Sequence, residues 1–220
     1  MPELKAADRS AKAAFWDGKI AAWEASRYSL LSLFNPFSWT VRNRLNAAQR
    51  LVRGKFKRHR QILDLGCGSG LLAGAVLGDA ERSYLGVDFS HAAIKKARAR
   101  FAGQAGRIRF EQADVLEGPA RGAPLIIFLG LLDWLDEPEV EVLFGKLKAE
   151  TLCFSFTEAD SGPAGLLYRQ YRRYSDGAYR ARNFPLARIK AAAEAAGYRV
   201  DRVSRFSPLD PGRLVEASRR

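Results

Sequence analysis

The segment Ile62–Gly70 reads ILDLGCGSG, and no other stretch limits the fold of the chain as strongly. A short apolar run carrying one acid, Asp64, enters a turn with glycines at alternate positions, Gly66, Gly68 and Gly70. Glycine lets the backbone turn sharply and lets another group approach it closely. The apolar run Leu71–Leu77 that follows reads as a helix. Strand, glycine turn and helix in this order open a βα unit, and in an open α/β sheet ligands bind at the carboxyl ends of the strands. Such a loop also serves dinucleotides, although GCGSG lacks the GxGxxG spacing.

The rest of the chain repeats this rhythm. Tyr84–Val87 predicts a second strand, and Ser90 caps a helix over Ala92–Phe101. Ile108–Gln112 and Leu125–Leu129 predict strands three and four. The latter holds no charge, as expected of a parallel strand covered on both faces. Pro138–Leu147 reads as a helix, Thr151–Phe156 as strand five, and Pro185–Ala196 as a helix stopped by Gly197. Tyr198–Phe206 and Leu214–Ala217 predict two last strands joined by the Pro208–Pro211 turn. Upstream, Phe15, Trp16, Ile20 and Trp23 recur at helical spacing over residues 8–34, Asn35-Pro36 breaks the pattern, and a second helix spans 38–53. The expectation is an α/β, doubly wound, mostly parallel seven-stranded Rossmann-like sheet with helices on both faces, an N-terminal helical extension and a lid insertion after strand five. One domain spans 1–220: a helical cap (1–58), a cofactor-binding core (59–158), a substrate lid (159–184) and a C-terminal helix with strands (185–220).

Composition excludes several classes. The apolar share is 47% with no run near the ~20 residues of a membrane span. MPELKAADRS is not followed by the apolar stretch of a secretory signal. The two cysteines, Cys67 and Cys153, make no CxxC pair and read as buried filler, so no disulfide framework and no metal site are expected. A cytoplasmic setting follows. The net charge of +12 favours anionic partners, either nucleic acid, an anionic membrane surface or acidic metabolites.

Acids mark the ends of three successive strands: Asp64, Asp88 in GVDFS, and Asp114 in ADV. A carboxylate ending the second strand is placed for two ribose hydroxyls. ILDLGCGSG, YLGVDFS, RFEQADVLE and PLIIFLGLLDWLDE, in this order, resemble the motifs of class I S-adenosylmethionine-dependent methyltransferases over residues 60–157. The closing FSPLDPGRLVEASRR is similar to the tails of magnesium-protoporphyrin and ubiquinone-pathway O-methyltransferases. The resemblance implies that Gly66, Cys67, Gly68 and Gly70 line the methionine part of the cofactor, with Asp64 at the start of the loop. It implies that Asp88 holds the ribose, that Phe89, Asp114 and Val115 border the adenine, and that Leu129-Gly130 border the methionine end. S-adenosyl-L-homocysteine is then the product.

The acceptor is less legible. Neither an NPPY-type element nor a cysteine-proline pair follows strand four. The segment Phe128–Asp136 resembles the GLLDYL-type stretch of small-molecule members. Asp133 and His91 are the candidate bases, with helix entry and a solvated first turn as their structural alternatives. His59 reads as a surface residue. Trp16, Arg27, Tyr28, Trp134, Tyr168 and Tyr171 are candidates for the acceptor, which arginines and aromatics would suit if it is planar or anionic. The leading expectation is methylation of a small molecule at oxygen, nitrogen or carbon by a monomer or homodimer. Alternatives are a nucleic-acid methyltransferase, motivated by charge, a non-catalytic cofactor-binding subunit, and peripheral membrane contact through Leu30–Phe34.

Overall fold

A computed structural model describes residues 11–20, 22, 24, 36–104, 106–159, 162, 166, 181–206 and 210–220. Helix α1 covers residues 11–20, and Ala22 and Glu24 are also helical. Helix α2 is Pro36–Arg53. It begins two residues earlier than the apolar pattern indicates, because proline is tolerated in the first turn, where its missing N–H costs nothing. The strands of the main sheet are β1 Gln61–Leu65, β2 Ser83–Asp88, β3 Ile108–Gln112, β4 Leu125–Leu129, β5 Thr151–Thr157, β6 Tyr198–Arg205 and β7 Gly212–Arg219, and Arg121–Gly122 pairs with Leu147–Lys148 in a separate ribbon. Three further helices are α3 His91–Arg100, α4 Glu137–Lys146 and α5 Leu186–Ala195.

The seven strands form one sheet in the order β3-β2-β1-β4-β5-β7-β6. The first five pair in parallel, while β7 runs antiparallel to both β5 and β6. The order reverses between β1 and β4, so the crevice of the fold opens above the glycine turn that follows β1. The last strand is longer than the apolar run Leu214–Ala217, since Gly212–Ser218 pairs with the whole of β5.

Alternating strand residues feed two cores. Leu63, Leu65, Ile126, Phe128 and Phe154 pack against α4 and α5, with Phe128 and Phe154 stacked at 4.8 Å between ring centroids. Ile62, Tyr84, Ile108, Phe110 and Ile127 pack against α2, α3 and the turn after β1. Both faces of the central strands are thus covered, which is why they carry runs of apolar residues and no alternation.

The helix expected over Leu71–Leu77 is a 3₁₀ helix over Leu71–Val76. Gly70 enters it with φ +75° and no side-chain cap, and Gly74 lies inside it, which disfavours α geometry. One local expectation is corrected. His59 is 3% exposed, not on the surface. The basic run Lys55–Arg60 curls into turns that direct Phe56 and His59 inward. Buried Arg82 holds them there, donating to the carbonyls of Val52, Phe56 and His59.

Candidate active site

The glycine turn is fixed by backbone chemistry. Gly66 and Cys67 donate to the Val87 carbonyl at 2.8 and 3.1 Å, tying the loop to the end of β2. Gly66, Gly68 and Gly70 all have positive φ, between 53° and 75°. At Gly70 a Cβ would also lie 2.7 Å from the Phe110 ring. Gly86, in the middle of β2, is needed for space, because its Cβ would meet Cys67 Sγ and Phe110 Cδ1 at 2.8 Å.

The acids expected at the strand ends fall into different environments. Asp88 is buried at the end of β2, and its Oδ2 accepts the Gly68 N–H at 2.8 Å while Oδ1 accepts that of Ser90 at 3.0 Å. Burial raises its pKa, and the two backbone donors pull it back. Asp64 lies one residue before the loop and accepts the hydroxyl of Tyr84 on β2. Burial pushes its carboxyl up to about 7, the tyrosine bond opposing and Asp88 reinforcing that shift. Cys67 is packed beneath the loop, where burial raises its thiol well above the ordinary value. Asp114 turns back onto its own chain, its Oδ1 accepting Leu116 N–H at 2.8 Å. Val115 packs on the α4 side of the core, and Phe89 is half-buried.

Helix α1 and Glu24, which follows it in the chain, supply two acids that the sequence does not advertise. Glu24 is buried, accepts the Ser69 N–H of the glycine loop at 3.2 Å and pairs with Lys96 at 2.6 Å. Asp17 accepts the Ser90 hydroxyl at 2.6 Å and the Ala92 N–H at 3.0 Å, at the start of α3. Ser90 itself caps α3 through Ala93 N–H, as expected. The amides of a helix N-terminus and of a glycine loop attract carboxylates, which accounts for both placements. On the same helix, Trp16 meets Trp134 edge to face at 4.8 Å, and Lys12 lies 3.7 Å from Glu139.

The segment after β4 closes the crevice from the other side. Gly130 has φ +73° and donates to Ser155 Oγ at 2.9 Å. Leu131 lies against Gly66, 3.2 Å from where a Cβ would sit. Asp133 is 2% exposed. Its Oδ2 accepts from Arg44 Nη1 and Thr157 Oγ1, both at 3.0 Å, and its Oδ1 accepts Thr157 N–H at 2.7 Å. Arg44 Nη2 donates to Thr157 Oγ1 at 2.7 Å, closing the network. The residue that caps α4 is Asp136, in a capping box with Glu139. His91 is exposed in the first turn of α3, with Nδ1 3.1 Å from Gln112 Oε1. Arg27, Tyr28, Tyr168 and Tyr171, together with most of the 159–184 segment, lie outside the described residues.

The structure therefore gathers Asp64, the loop glycines, Cys67, Asp88 and Leu131 at the carboxyl ends of β1 and β2. Residues 62–149, which contain all of them, match a family described as a methyltransferase domain. The surrounding architecture agrees with that of known methyltransferases. Magnesium protoporphyrin IX methyltransferase from Synechocystis PCC 6803 with bound SAM superposes with a TM-score of 0.72 at 16% identity, covering 97% of each chain. The pyocyanin biosynthetic protein PhzM gives 0.64 at 18% identity, over 79% of this chain and 54% of that one. Human N-acetylserotonin methyltransferase in complex with SAM gives 0.63 at 16% identity, over 83% of this chain and 55% of that one. The chain thus spans about half the length of the last two. No curated relative matches its sequence. Among the described residues no helix is long and apolar enough to cross a membrane.

Proposed function

We propose that the chain transfers the methyl group of S-adenosylmethionine to a small-molecule acceptor and releases S-adenosylhomocysteine. The observation that carries this reading is the placement of Asp88, a buried carboxylate at the end of β2 held against the Gly68 amide of a three-glycine loop. The surroundings fit the cofactor. A Cβ placed on Gly68 would have Glu24 Oε1 as its nearest neighbour, at 3.7 Å, so the backbone itself is open to a close approach. Asp64, Asp88, Asp17 and Glu24 crowd acids around the loop, an arrangement suited to a ligand carrying ammonium and sulfonium charges.

When bound, the cofactor supplies an electrophilic methyl group on a positively charged sulfur. The chain then has to hold two reactants in line, a contribution of up to about 7–11 kcal/mol. Asp88 holds the ribose hydroxyls, and the glycine loop with Leu129-Gly130 borders the methionine end. Phe89, Asp114 and Val115 border the adenine. Trp16 against Trp134 forms an apolar wall beside the acceptor. Asp133 acts as a buttress for this wall: a carboxylate already holding one guanidinium and two donors of Thr157 fixes the segment that carries Leu131 and Trp134. The acceptor is planar or anionic, read from the arginines and aromatics of the chain, and is methylated at oxygen, nitrogen or carbon.

Calorimetry with S-adenosylhomocysteine, followed by transfer of labelled methyl to a panel of aromatic hydroxy acids, tests the reading. Binding that disappears in Asp88→Ala supports it. Absence of binding to the wild-type chain, or equal binding by Asp88→Ala, rejects it.

A further inference from the structure

A second cleft lies on the α2 side of the sheet, between α2 and the antiparallel hairpin β6–β7, with a volume of about 360 Å³. Asn43, Ala47, Arg50 and Leu51 line it from α2. These positions recur at helical spacing, so they share one face of α2. The opposite wall is Arg202, Ser204, Arg205 and Phe206 of β6 and its end. Leu214 and Glu216 of β7 form the floor.

Position separates this cleft from the cofactor crevice. Leu129 on β4 pairs with Ser155, Ser155 with Leu214, and Leu214 with Ser204. Three strand spacings put Ser204 ~14 Å from Leu129. The two sites therefore lie at one level of the sheet but are divided by β5 and β7.

Charge and local geometry indicate the occupant. Glu216 is the carboxylate in the floor, and Lys55 neutralises it at 2.5 Å. Arg205 is within 3.7 Å of Glu158, which Arg213 also holds. Arg50 and Arg202 have no ion pair among the described residues. β6 carries an irregularity between Val200 and Arg202 that places Arg202 opposite Glu216, and a bulge of this kind re-aims the side chain that follows it. Two arginines without carboxylate partners, contributed by different elements beside the apolar side chains of Leu214 and Phe206, match an oxyanion attached to a flat apolar body. The volume falls within the range of small-molecule sites.

We propose that this cleft binds a small aromatic molecule bearing a phosphate or carboxylate, independently of the methyl-transfer site. Arg50 and Arg202 grip the oxyanion, and Phe206 and Leu214 hold the ring. The test is isothermal titration of the full chain, saturated with S-adenosylhomocysteine, with phenyl phosphate, benzoate and inorganic phosphate. Saturable binding of phenyl phosphate or benzoate is expected, tighter than that of inorganic phosphate, and the stronger of the two names the oxyanion. Arg50→Gln with Arg202→Gln should weaken it tenfold or more while the affinity for S-adenosylhomocysteine stays within twofold. Both arginines are exposed, and a thermal melt verifies that the double variant is folded. No saturable binding of either aromatic, unchanged affinity in the double variant, or binding confined to long RNA with a steep salt dependence would overturn the proposal.

Discussion

Arg44 on α2 and Asp133 after β4 stand 89 residues apart in the chain and meet at 3.0 Å in the interior. Removing one partner strands the other as an uncompensated buried charge, a loss of about 3–5 kcal/mol. Asp133→Ala and Arg44→Ala should each lower stability by this amount in urea melts. The double variant Arg44→Met/Asp133→Leu should recover a large part of it. Additive single losses would show that the pair is not a unit. In methyl transfer, Asp133→Asn should reduce kcat with little change in the affinity for S-adenosylhomocysteine, as expected of a buttress on the acceptor side.

Asp88→Ala removes the carboxylate that the ribose requires and frees the Gly68 and Ser90 amides it now satisfies. The affinity for S-adenosylhomocysteine should fall at least a hundredfold by calorimetry, since charged hydrogen bonds contribute about 1.5–3 kcal/mol each. Asp88→Asn, which keeps the acceptor oxygen, should fall by less. Equal loss in the two variants would show that the charge, not the hydrogen-bond geometry, matters.

Gly70→Ala puts a side chain at φ +75° and 2.7 Å from Phe110. Backbone strain and overpacking add, and a destabilisation of about 2–4 kcal/mol is expected in denaturant titration. Gly74, with nothing within 4 Å of its Cβ position, is the control. Gly74→Ala should be neutral or slightly stabilising, and a matching loss there would remove the steric explanation.

Two buried groups oppose each other in pH. Asp64 has its pKa raised to about 7, so the stability its protonated form contributes is complete below about pH 4 and is lost as pH rises through 7. Asp64→Asn, still able to accept from Tyr84, should equal the wild type near pH 4 and exceed it above pH 7 by on the order of 2–4 kcal/mol. His59 is held below its ordinary value, first by burial and then by Arg58. Its contribution is present above about pH 6.5 and is lost as pH falls. A melting curve for His59→Gln that loses none of the wild-type decline between pH 6.5 and 5 would count against this assignment.

The sheet is legible in the sequence because its strands are short, apolar and spaced by helices, and β3 and β4 have the limits expected from the pattern alone. The loop is legible because three alternate glycines have few other uses. Arg44, Asp17 and Glu24 are not. On a helix a charged residue reads as solvent-facing, and what draws these three inward is a partner supplied from elsewhere in the chain: Asp133, the α3 N-terminus and the Ser69 amide. His59 misleads for the same reason, as a basic run gives no sign that its turn will fold inward over Arg82. Asp64 reads as costly to bury, but its partner is a tyrosine, a residue that in β2 reads only as strand-forming.

Helix α1 touches the start of α3 through Asp17 and Trp134 through Trp16. These two residues are consecutive, and α3 begins three positions after Asp88. A substitution that unseats α1 is therefore felt on the donor side and the acceptor side alike.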